Sequence, residues 1–283
     1  MGTTKNTTDE RKFVFTTKIV EEITEKINDG VVVKRYQNPW FKNEVGVRRA
    51  GISFRMTEEE IQEYIRCKTD IHYFAEKYCK VKTEDGSVQN IKLRDYQKKI
   101  LDLYSGRFSI LCGSRQIGKT INSAITMLHF VTFNNDKNIM IVANIRGTTI
   151  EIIDKIKNIY LQLPFFLKAS VKLWNQQSMT FENGCRIKSS ARSKTPAIGF
   201  TIDFLYLDEF AHIPSNIIEP YYTAAYPTVS AIENSKIIIT STPNGMNLFH
   251  KLLSDAERPD GDPLKNSFRA MRVYWYQVPG RFV

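Results

Sequence analysis

A short segment bounded by glycines carries the clearest chemical signal in this sequence. Residues 113–120 read GSRQIGKT and match the phosphate-loop pattern G-x-x-x-x-G-K-[ST] in full. In such a loop the glycines let backbone N–H groups wrap a phosphate chain, and the following helix N-terminus adds partial positive charge. We therefore predict that the loop binds the phosphates of a nucleotide through Gly113, Ser114, Arg115, Gln116, Ile117, Gly118, Lys119 and Thr120.

A magnesium site and a hydrolytic carboxylate are predicted around this loop. Lys119 should reach the β- and γ-phosphates, and the Thr120 hydroxyl should ligate Mg²⁺. Residues 204–209, FLYLDE, form an apolar strand that ends in two acids. There Asp208 would hold Mg²⁺, mostly through water, and Glu209 would orient or deprotonate the attacking water. The competing interpretation is a helix-capping pair at the end of a strand.

Small hydroxyl side chains end the next apolar strand. In IIITSTPNG, residues 237–245, they are Thr240, Ser241 and Thr242. Hydroxyls at the end of a buried strand can sense a γ-phosphate and pass the change on through the following turn. We predict that they couple nucleotide state to movement; the alternative is an ordinary exit from a strand into a turn.

An aromatic residue and an amide precede the phosphate loop in LRDYQKKIL, residues 93–101. Tyr96 could stack on adenine and Gln97 could hydrogen-bond to it. Tyr96 and Ile100 stand at positions i and i+4, so they fit equally well on the buried face of a helix.

Strands that alternate with helices must position these residues. From residue 93 onward this alternation predicts an α/β fold with a parallel sheet. Apolar strands are predicted at residues 108–112, 139–143, 204–207 and 236–240. Helices are predicted at about 119–133, at 148–163 and from near 247. A hairpin that turns at Asn183 and Gly184 is predicted over residues 179–190.

The first third of the chain is predicted to be helical, charged and accessory. Apolar spacing over residues 19–27 predicts a short helix that stops at Gly30. A capping box that starts at Thr57 predicts a second helix, and Asp70 should cap a third. Residues 84–87 read as a turn between two short strands.

Composition bounds the class of protein. The chain has 283 residues, of which 42% are hydrophobic and 25% charged, which is ordinary globular usage and argues against a disordered or collagenous protein. No apolar run approaches the roughly 18 residues of a membrane helix. The four cysteines have no metal-site spacing. We expect a soluble, intracellular protein with reduced thiols.

Basic residues concentrate between the phosphate loop and the paired acids. The net charge of +10 fits a polyanionic partner, most commonly nucleic acid, although solubility alone is an alternative. Residues 155–194 carry eight basic side chains against the single acid Glu182. Because a solvated surface normally mixes both signs, we predict a phosphate-facing surface formed by Lys155, Lys157, Lys168, Lys172, Arg186, Lys188, Arg192 and Lys194.

The motifs YQ, SRQIGKT, LYLDEFAHIP, TSTPNG and VYWYQVPGR, in this order, resemble the ATPase half of the large terminase subunit of tailed bacteriophages. The resemblance covers roughly residues 70–281. It implies an α/β fold of the RecA-like P-loop NTPase type (ASCE type), with a mainly parallel sheet flanked by helices and a helical N-terminal accessory subdomain. The implied cofactors are ATP and Mg²⁺.

The implied activity is ATP hydrolysis that threads double-stranded DNA into a procapsid. In this family the arginine of the phosphate loop is taken to act as an arginine finger in cis, a role that would fall on Arg115. An arginine beside the γ-phosphate stabilises the charge that develops in phosphoryl transfer. The expected catalytic residues are therefore Glu209, Arg115 and Lys119.

The resemblance also implies a domain division and partners. We expect an accessory or lid subdomain at residues 1–85, an ATPase core at 86–260 and the start of a linker or second subdomain at 261–283. The nuclease domain of full-length relatives is not expected in this chain, nor is nuclease activity. Expected partners are DNA of any sequence, a portal protein, a small terminase subunit and further copies in a ring. The expected location is the host cytoplasm, and no membrane is expected among the partners.

Two other functions fit part of this pattern. A helicase-type translocase also uses a phosphate loop, an Asp-Glu strand and a hydroxyl-rich strand, but it needs a second motor domain. A nucleotide-gated DNA-binding assembly subunit that scarcely hydrolyses ATP would need neither Glu209 nor Arg115.

Overall fold

A mainly parallel β-sheet forms the centre of the fold. The computed structural model describes residues 22–26, 32–36, 38–82, 86–191 and 201–279. The strands are β1 (Glu22–Lys26), β2 (Val32–Tyr36), β3 (Lys80–Lys82), β4 (Val88–Asn90), β5 (Phe108–Gly113), β6 (Asn138–Ala143), β7 (Val171–Trp174), β8 (Ser178–Phe181), β9 (Arg186–Ala191), β10 (Phe204–Asp208), β11 (Lys236–Ser241) and β12 (Arg269–Val273). The α-helices are α1 (Glu58–Thr69), α2 (Ile71–Tyr78), α3 (Asp95–Ser105), α4 (Lys119–Phe133), α5 (Arg146–Gln162), α6 (Ser215–Ser230) and α7 (Leu248–Ala256).

The central sheet has the strand order β12-β5-β11-β10-β6-β9-β8-β7. The first six strands of this order, which are β12, β5, β11, β10, β6 and β9, run parallel to one another. Strand β8 pairs antiparallel with β9 and with β7. The predicted α/β fold and the predicted strands are confirmed, and the predicted hairpin is β8 and β9, with Gly184 at φ 81° in its turn. Strand β12, which follows the expected core boundary at residue 260, forms the edge of this same sheet.

Helices cover both faces of the parallel strands. Along β10, Phe204 and Tyr206 face the core beneath α3, α4 and α5, whereas Leu205 and Leu207 face α6 and α7. Every residue of β10 is buried. A strand buried on both faces must be apolar along its whole length, which is why these strands are recognisable as continuous apolar runs.

The helices before the sheet share its core. Thr57 begins α1 with the predicted capping box, and the Asp70 carboxylate accepts a hydrogen bond from the Tyr73 backbone N–H at 2.9 Å at the start of α2. Phe74 of α2 is fully buried, with its ring centroid 5.8 Å from that of Phe133 in α4. Burial of α2 against α4 therefore ties this part of the chain to the sheet.

The helix expected over residues 19–27 is wrong for residues 22–26, the part of this stretch that the structure describes. The structure has the antiparallel strands β1 and β2 there, with Glu22 opposite Tyr36. β-branched residues are frequent in this segment, with Ile23 and Thr24 in β1 and valine at positions 31–33, and they favour extended backbone. The short strands expected around residues 84–87 are confirmed as the antiparallel pair β3 and β4.

The cysteines and helices agree with an ordinary globular interior. All four cysteines are free and buried, and burial raises the pKa of Cys67 to about 12. In the part of the chain that the structure describes, no helix is both long and apolar enough to cross a membrane.

Candidate nucleotide-binding site

A glycine-dependent loop joins β5 to α4. β5 ends at Gly113 and α4 begins at Lys119, so the predicted phosphate loop lies between a parallel strand and a helix N-terminus. Gly118 has a left-handed backbone (φ 84°), and a Cβ there would lie 2.5 Å from the Gln97 amide nitrogen. Ile117 is only 1% exposed and anchors the loop in the core. A loop of this geometry before a helix N-terminus suits the binding of phosphate groups.

The side chain of Lys119 connects the loop to the paired acids. It is buried, and its Nζ lies 3.4 Å from the carbonyl oxygen of Gly113 and 3.5 Å from that of Ser114. The same Nζ lies 3.4 Å from Oε1 of Glu209. A flexible ammonium in this position can exchange these partners for phosphate oxygens.

The two acids after β10 have different environments. Asp208 is 3% exposed, and its Oδ1 accepts a hydrogen bond from the Thr240 hydroxyl at 2.7 Å. Burial raises the pKa of Asp208, although the bond from Thr240 opposes the shift. Glu209 adopts a left-handed backbone (φ 46°) that is uncommon for a residue with a side chain. The consequence is that Asp208 stays in the buried strand while Glu209 borders an open cavity.

The hydroxyls at the end of β11 form hydrogen bonds with these acids and with the short turn that follows Glu209. Thr240 donates its one hydroxyl hydrogen to Asp208, so the Tyr206 hydroxyl, 3.2 Å away, must donate to Thr240. The Thr242 backbone N–H and hydroxyl both donate to Oε2 of Glu209 at 3.3 Å. Ser241 instead accepts from the backbone N–H of Ala211 at 3.1 Å and donates to the Thr242 carbonyl.

An open cavity of about 670 Å³ lies where these elements meet. Its volume falls in the range of small-molecule sites. The predicted residues that line it are Arg115, Gln116, Gly118, Lys119, Thr120, Lys155, Glu209 and Thr242. The sequence-predicted loop, acid and coupling hydroxyl therefore meet at one site.

Several lining residues were not predicted from sequence. Asn144, Ile145 and Thr148 follow β6, and His212 follows Glu209 by three residues. Since β6 is parallel to its neighbour β10, both carboxyl ends open on the same edge of the sheet. A polar Asn144 directly after the apolar run 139–143 was the signal that could have placed it here.

The predicted adenine pair does not line this cavity. Tyr96 is 6% exposed and packs in the core, and its hydroxyl accepts a hydrogen bond from the Arg94 guanidinium at 3.2 Å. Tyr96 therefore occupies the core position that was the alternative interpretation, and the prediction that it stacks on adenine is wrong. Gln97 donates its amide N–H to the carbonyl of Ile117 at 3.4 Å, so it supports the phosphate loop from outside.

Thr120 and Asp208 form the donor set that could hold Mg²⁺. Mg²⁺ in nucleotide sites keeps several waters and uses one or two protein oxygens in addition to phosphate oxygens. Thr120 borders the cavity, and the buried carboxylate of Asp208 lies directly before the lining residue Glu209. One hydroxyl and one desolvated carboxylate fit this ion, and Mg²⁺ would neutralise charge on the transferred phosphoryl group.

The eight predicted phosphate-facing residues do not form one surface. Lys155 lines the cavity of about 670 Å³, and Lys157 has its Nζ 5.0 Å from the centroid of the Trp174 ring. Arg186 and Lys188 are exposed and alternate with the buried Ile187 along β9, so they lie on one face of the sheet. Lys172 of β7 is exposed as well, and positions 192 and 194 lie outside the described residues.

Lys168 is a structural residue and its assignment to a DNA surface is wrong. It is 5% exposed, and its ammonium donates to the carbonyls of Gly46 at 2.6 Å and Leu161 at 2.9 Å. Burial lowers the pKa of Lys168 to about 8. A buried side chain that bonds one backbone carbonyl 122 residues away and another seven residues away belongs to the interior and does not face a ligand.

The stability of the fold should depend on pH through Lys168. Between pH 8 and about 10.4 the unfolded chain keeps this proton and the folded chain does not, so the free energy of unfolding rises with pH. Relative to Lys168→Met, the wild type should gain about 2 kcal/mol between pH 7.5 and 9.5, out of about 3 kcal/mol in total. Urea unfolding at pH 7.5 and 9.5 measures the difference, with exposed Lys172→Met as control. Parallel pH dependence of all three proteins would contradict the assignment.

Fold and site together define an α/β protein with a RecA-like P-loop fold. Residues 110–279 match the family described as "Terminase large subunit, T4likevirus-type, N-terminal". This match spans more than half of the chain, and the chain belongs to this terminase family. The resemblance inferred from the motifs is thereby confirmed.

Solved structures of phage terminases share the fold. The large terminase of bacteriophage HK97 is 20% identical, with a TM-score of 0.56 over 67% of this chain and 41% of that chain. The ATPase domain of the large terminase of Thermus phage P74-26 is 20% identical, with a TM-score of 0.52 over 64% of this chain and 81% of that chain. The present chain thus matches less than half the length of the HK97 protein.

Proposed function

We propose that this chain is an ATPase that drives translocation of double-stranded viral DNA into a procapsid. The observation that carries the proposal is the 3.4 Å approach of Lys119, from the phosphate loop, to Glu209, from the neighbouring edge of the sheet. The cavity that Lys119, Thr120 and Glu209 line suits a triphosphate with its Mg²⁺. Membership of the terminase family supports the packaging role.

Each lining group has a defined task in this reaction. The loop N–H groups, the N-terminus of α4 and Lys119 bind the phosphates, and Thr120 and Asp208 hold Mg²⁺. Glu209 orients or deprotonates the attacking water. Arg115 stabilises the charge that develops on the transferred phosphoryl group. Thr240, Ser241 and Thr242 pass the change of state to the turn after β11.

The partners of this motor follow from its substrate. A packaging motor must move DNA of any sequence, so contacts to phosphates are sufficient and base recognition is not required. Exposed positive charge for such contacts is supplied by Arg186 and Lys188 of β9. Lys172 of β7, two strands away in the sheet, is exposed as well. We further propose a portal protein, a small terminase subunit and a ring of copies as partners, in the host cytoplasm. The division into an accessory part, a core and a following subdomain belongs to the same proposal.

Phosphate release from ATP is the experiment that tests the proposed activity. The wild-type chain should hydrolyse ATP with Mg²⁺, lose this activity in EDTA and respond to linear double-stranded DNA. Stimulation by DNA of unrelated sequences should be equal. Binding of ATP without hydrolysis would favour the nucleotide-gated assembly subunit instead.

DNA affinity should fall when the exposed charges of β9 are removed. Arg186→Gln combined with Lys188→Gln is expected to reduce the slope of log affinity against log salt concentration by about 2, because each phosphate contact contributes about 0.9. Fluorescence anisotropy with labelled duplex DNA at several salt concentrations measures this slope. Lys68→Gln with Lys92→Gln, two exposed lysines elsewhere, is the matched control. Equal slopes for both double variants would place the DNA on another surface.

A further inference from the structure

The segment after Glu209 and the segment after β11 are joined by a dense set of hydrogen bonds. Residues 210–212 form a 3-10 turn, and its Ala211 is bonded at both backbone groups. The Ala211 N–H donates to Ser241, and its carbonyl accepts from the side-chain amides of Asn244 at 3.1 Å and Asn247 at 2.9 Å. The turn that follows Glu209 is therefore hydrogen-bonded to three residues within 241–247.

His212 adds one side-chain contact to this connection. Its Nε2 lies 2.7 Å from the Thr242 hydroxyl and 3.7 Å from Oε2 of Glu209. The side chain is one third exposed and borders the nucleotide cavity. Phe210 and Ala211, which precede it, are buried, so the backbone that carries this imidazole is fixed.

The direction of this contact follows from the direction of the bond to Glu209. The Thr242 hydroxyl has one hydrogen and lies 3.3 Å from Oε2 of Glu209, to which it can donate. In that arrangement it accepts from Nε2 of His212 at 2.7 Å, which corresponds to the tautomer with the proton on Nε2. His212 thus donates to Thr242, and Thr242 donates to the carboxylate of Glu209, so that each hydrogen bond strengthens the next. We call these three residues the relay.

The relay acts on the oxygen that faces away from Lys119. Lys119 lies beside Oε1 of Glu209, whereas Thr242 and His212 lie beside Oε2. When a triphosphate takes Lys119, the Thr242 and His212 donors remain on the carboxylate. They then set the orientation of Glu209 toward the reacting water.

We propose that His212 is a positioning residue for ATP hydrolysis, which aligns Glu209 through Thr242 and links it to the turn at residues 243–247. This inference rests on the proposed ATPase activity. His212 itself touches neither the nucleotide nor the water in this role. It should therefore affect the rate of hydrolysis and leave nucleotide affinity unchanged.

Two substitutions of the same residue separate this role from general packing. His212→Leu removes the donor, whereas His212→Gln can present an amide N–H near the position of Nε2. We expect His212→Leu to lower kcat for ATP about tenfold or more with KM within about twofold, because small misalignments of reacting groups are costly. His212→Gln should recover most of the loss. His250→Leu, a change at an exposed histidine of α7, should match the wild type.

Phosphate release and the affinity for a fluorescent ATP analogue give the two readouts. If the wild type hydrolyses ATP and His212→Leu matches His250→Leu, the inference is overturned while the proposed function stands. If His212→Gln is as slow as His212→Leu, or if His212→Leu loses nucleotide affinity, the positioning role through a donated hydrogen bond is overturned. If the wild type binds the analogue but releases no phosphate from ATP, the proposed function and this inference fall together.

Discussion

Replacement of Glu209 by glutamine should lower the rate of ATP hydrolysis by about two orders of magnitude or more. General base catalysis contributes roughly 10² to 10⁴ in rate, and an amide cannot accept the proton of the attacking water. Glutamine keeps the size of the side chain and an oxygen that can accept from Thr242. Glu209→Gln should therefore still bind ATP, with an affinity similar to that of the wild type.

Single-turnover phosphate release and binding of a fluorescent ATP analogue measure the two quantities separately. Lys119→Ala is the informative comparison, since it removes a phosphate ligand and should weaken nucleotide binding as well as hydrolysis. Wild-type turnover in Glu209→Gln would exclude Glu209 as the catalytic carboxylate. Glu209 would then keep only a structural role, as the acceptor of the hydrogen bonds from Thr242.

Much of this site could be predicted from sequence because its groups lie in short contiguous segments. The phosphate loop requires glycine at positions 113 and 118, and the continuous apolar strand before Asp208 is recognisable because both of its faces are buried. Parallel strands bring their carboxyl ends to one edge, so the proximity of Lys119 and Glu209 follows from the sheet. The left-handed backbone at Glu209, which separates the two acids, has no such local signal.

The wrong expectations for Lys168 and Tyr96 share a physical cause. Lys168 and Lys172 are only four residues apart and identical in type, yet one is buried on backbone carbonyls and the other is exposed. Which lysine is buried depends on Gly46, a partner 122 residues away in the sequence. A count of charged residues over positions 155–194 contains no information about such a distant partner. Tyr96 poses the same problem, since an aromatic at helical spacing suits both a core and a base-stacking surface.

Arg115 should be the residue whose loss is most costly to the chemical step. An arginine beside the γ-phosphate is worth about 10³ to 10⁵ in rate in phosphoryl transfer, because its planar group donates several hydrogen bonds to developing charge. Arg115 lines the same cavity as Lys119 and Glu209. We expect Arg115→Ala to lower kcat about a thousandfold, and Arg115→Lys to recover only a small part, since an ammonium lacks the bidentate geometry.

The same comparison tests whether Arg115 acts within its own subunit. Steady-state hydrolysis at ATP concentrations well above KM gives kcat, and Arg55→Ala, at an exposed arginine, is the control. If the arginine acts in cis, a mixture of Arg115→Ala and Glu209→Gln chains should be as inactive as each variant alone. If it acts on a neighbouring copy, the Glu209→Gln chains would supply their arginine to the intact Glu209 of Arg115→Ala chains, and the mixture should regain activity. A kcat unchanged by Arg115→Ala would remove Arg115 from the catalytic set.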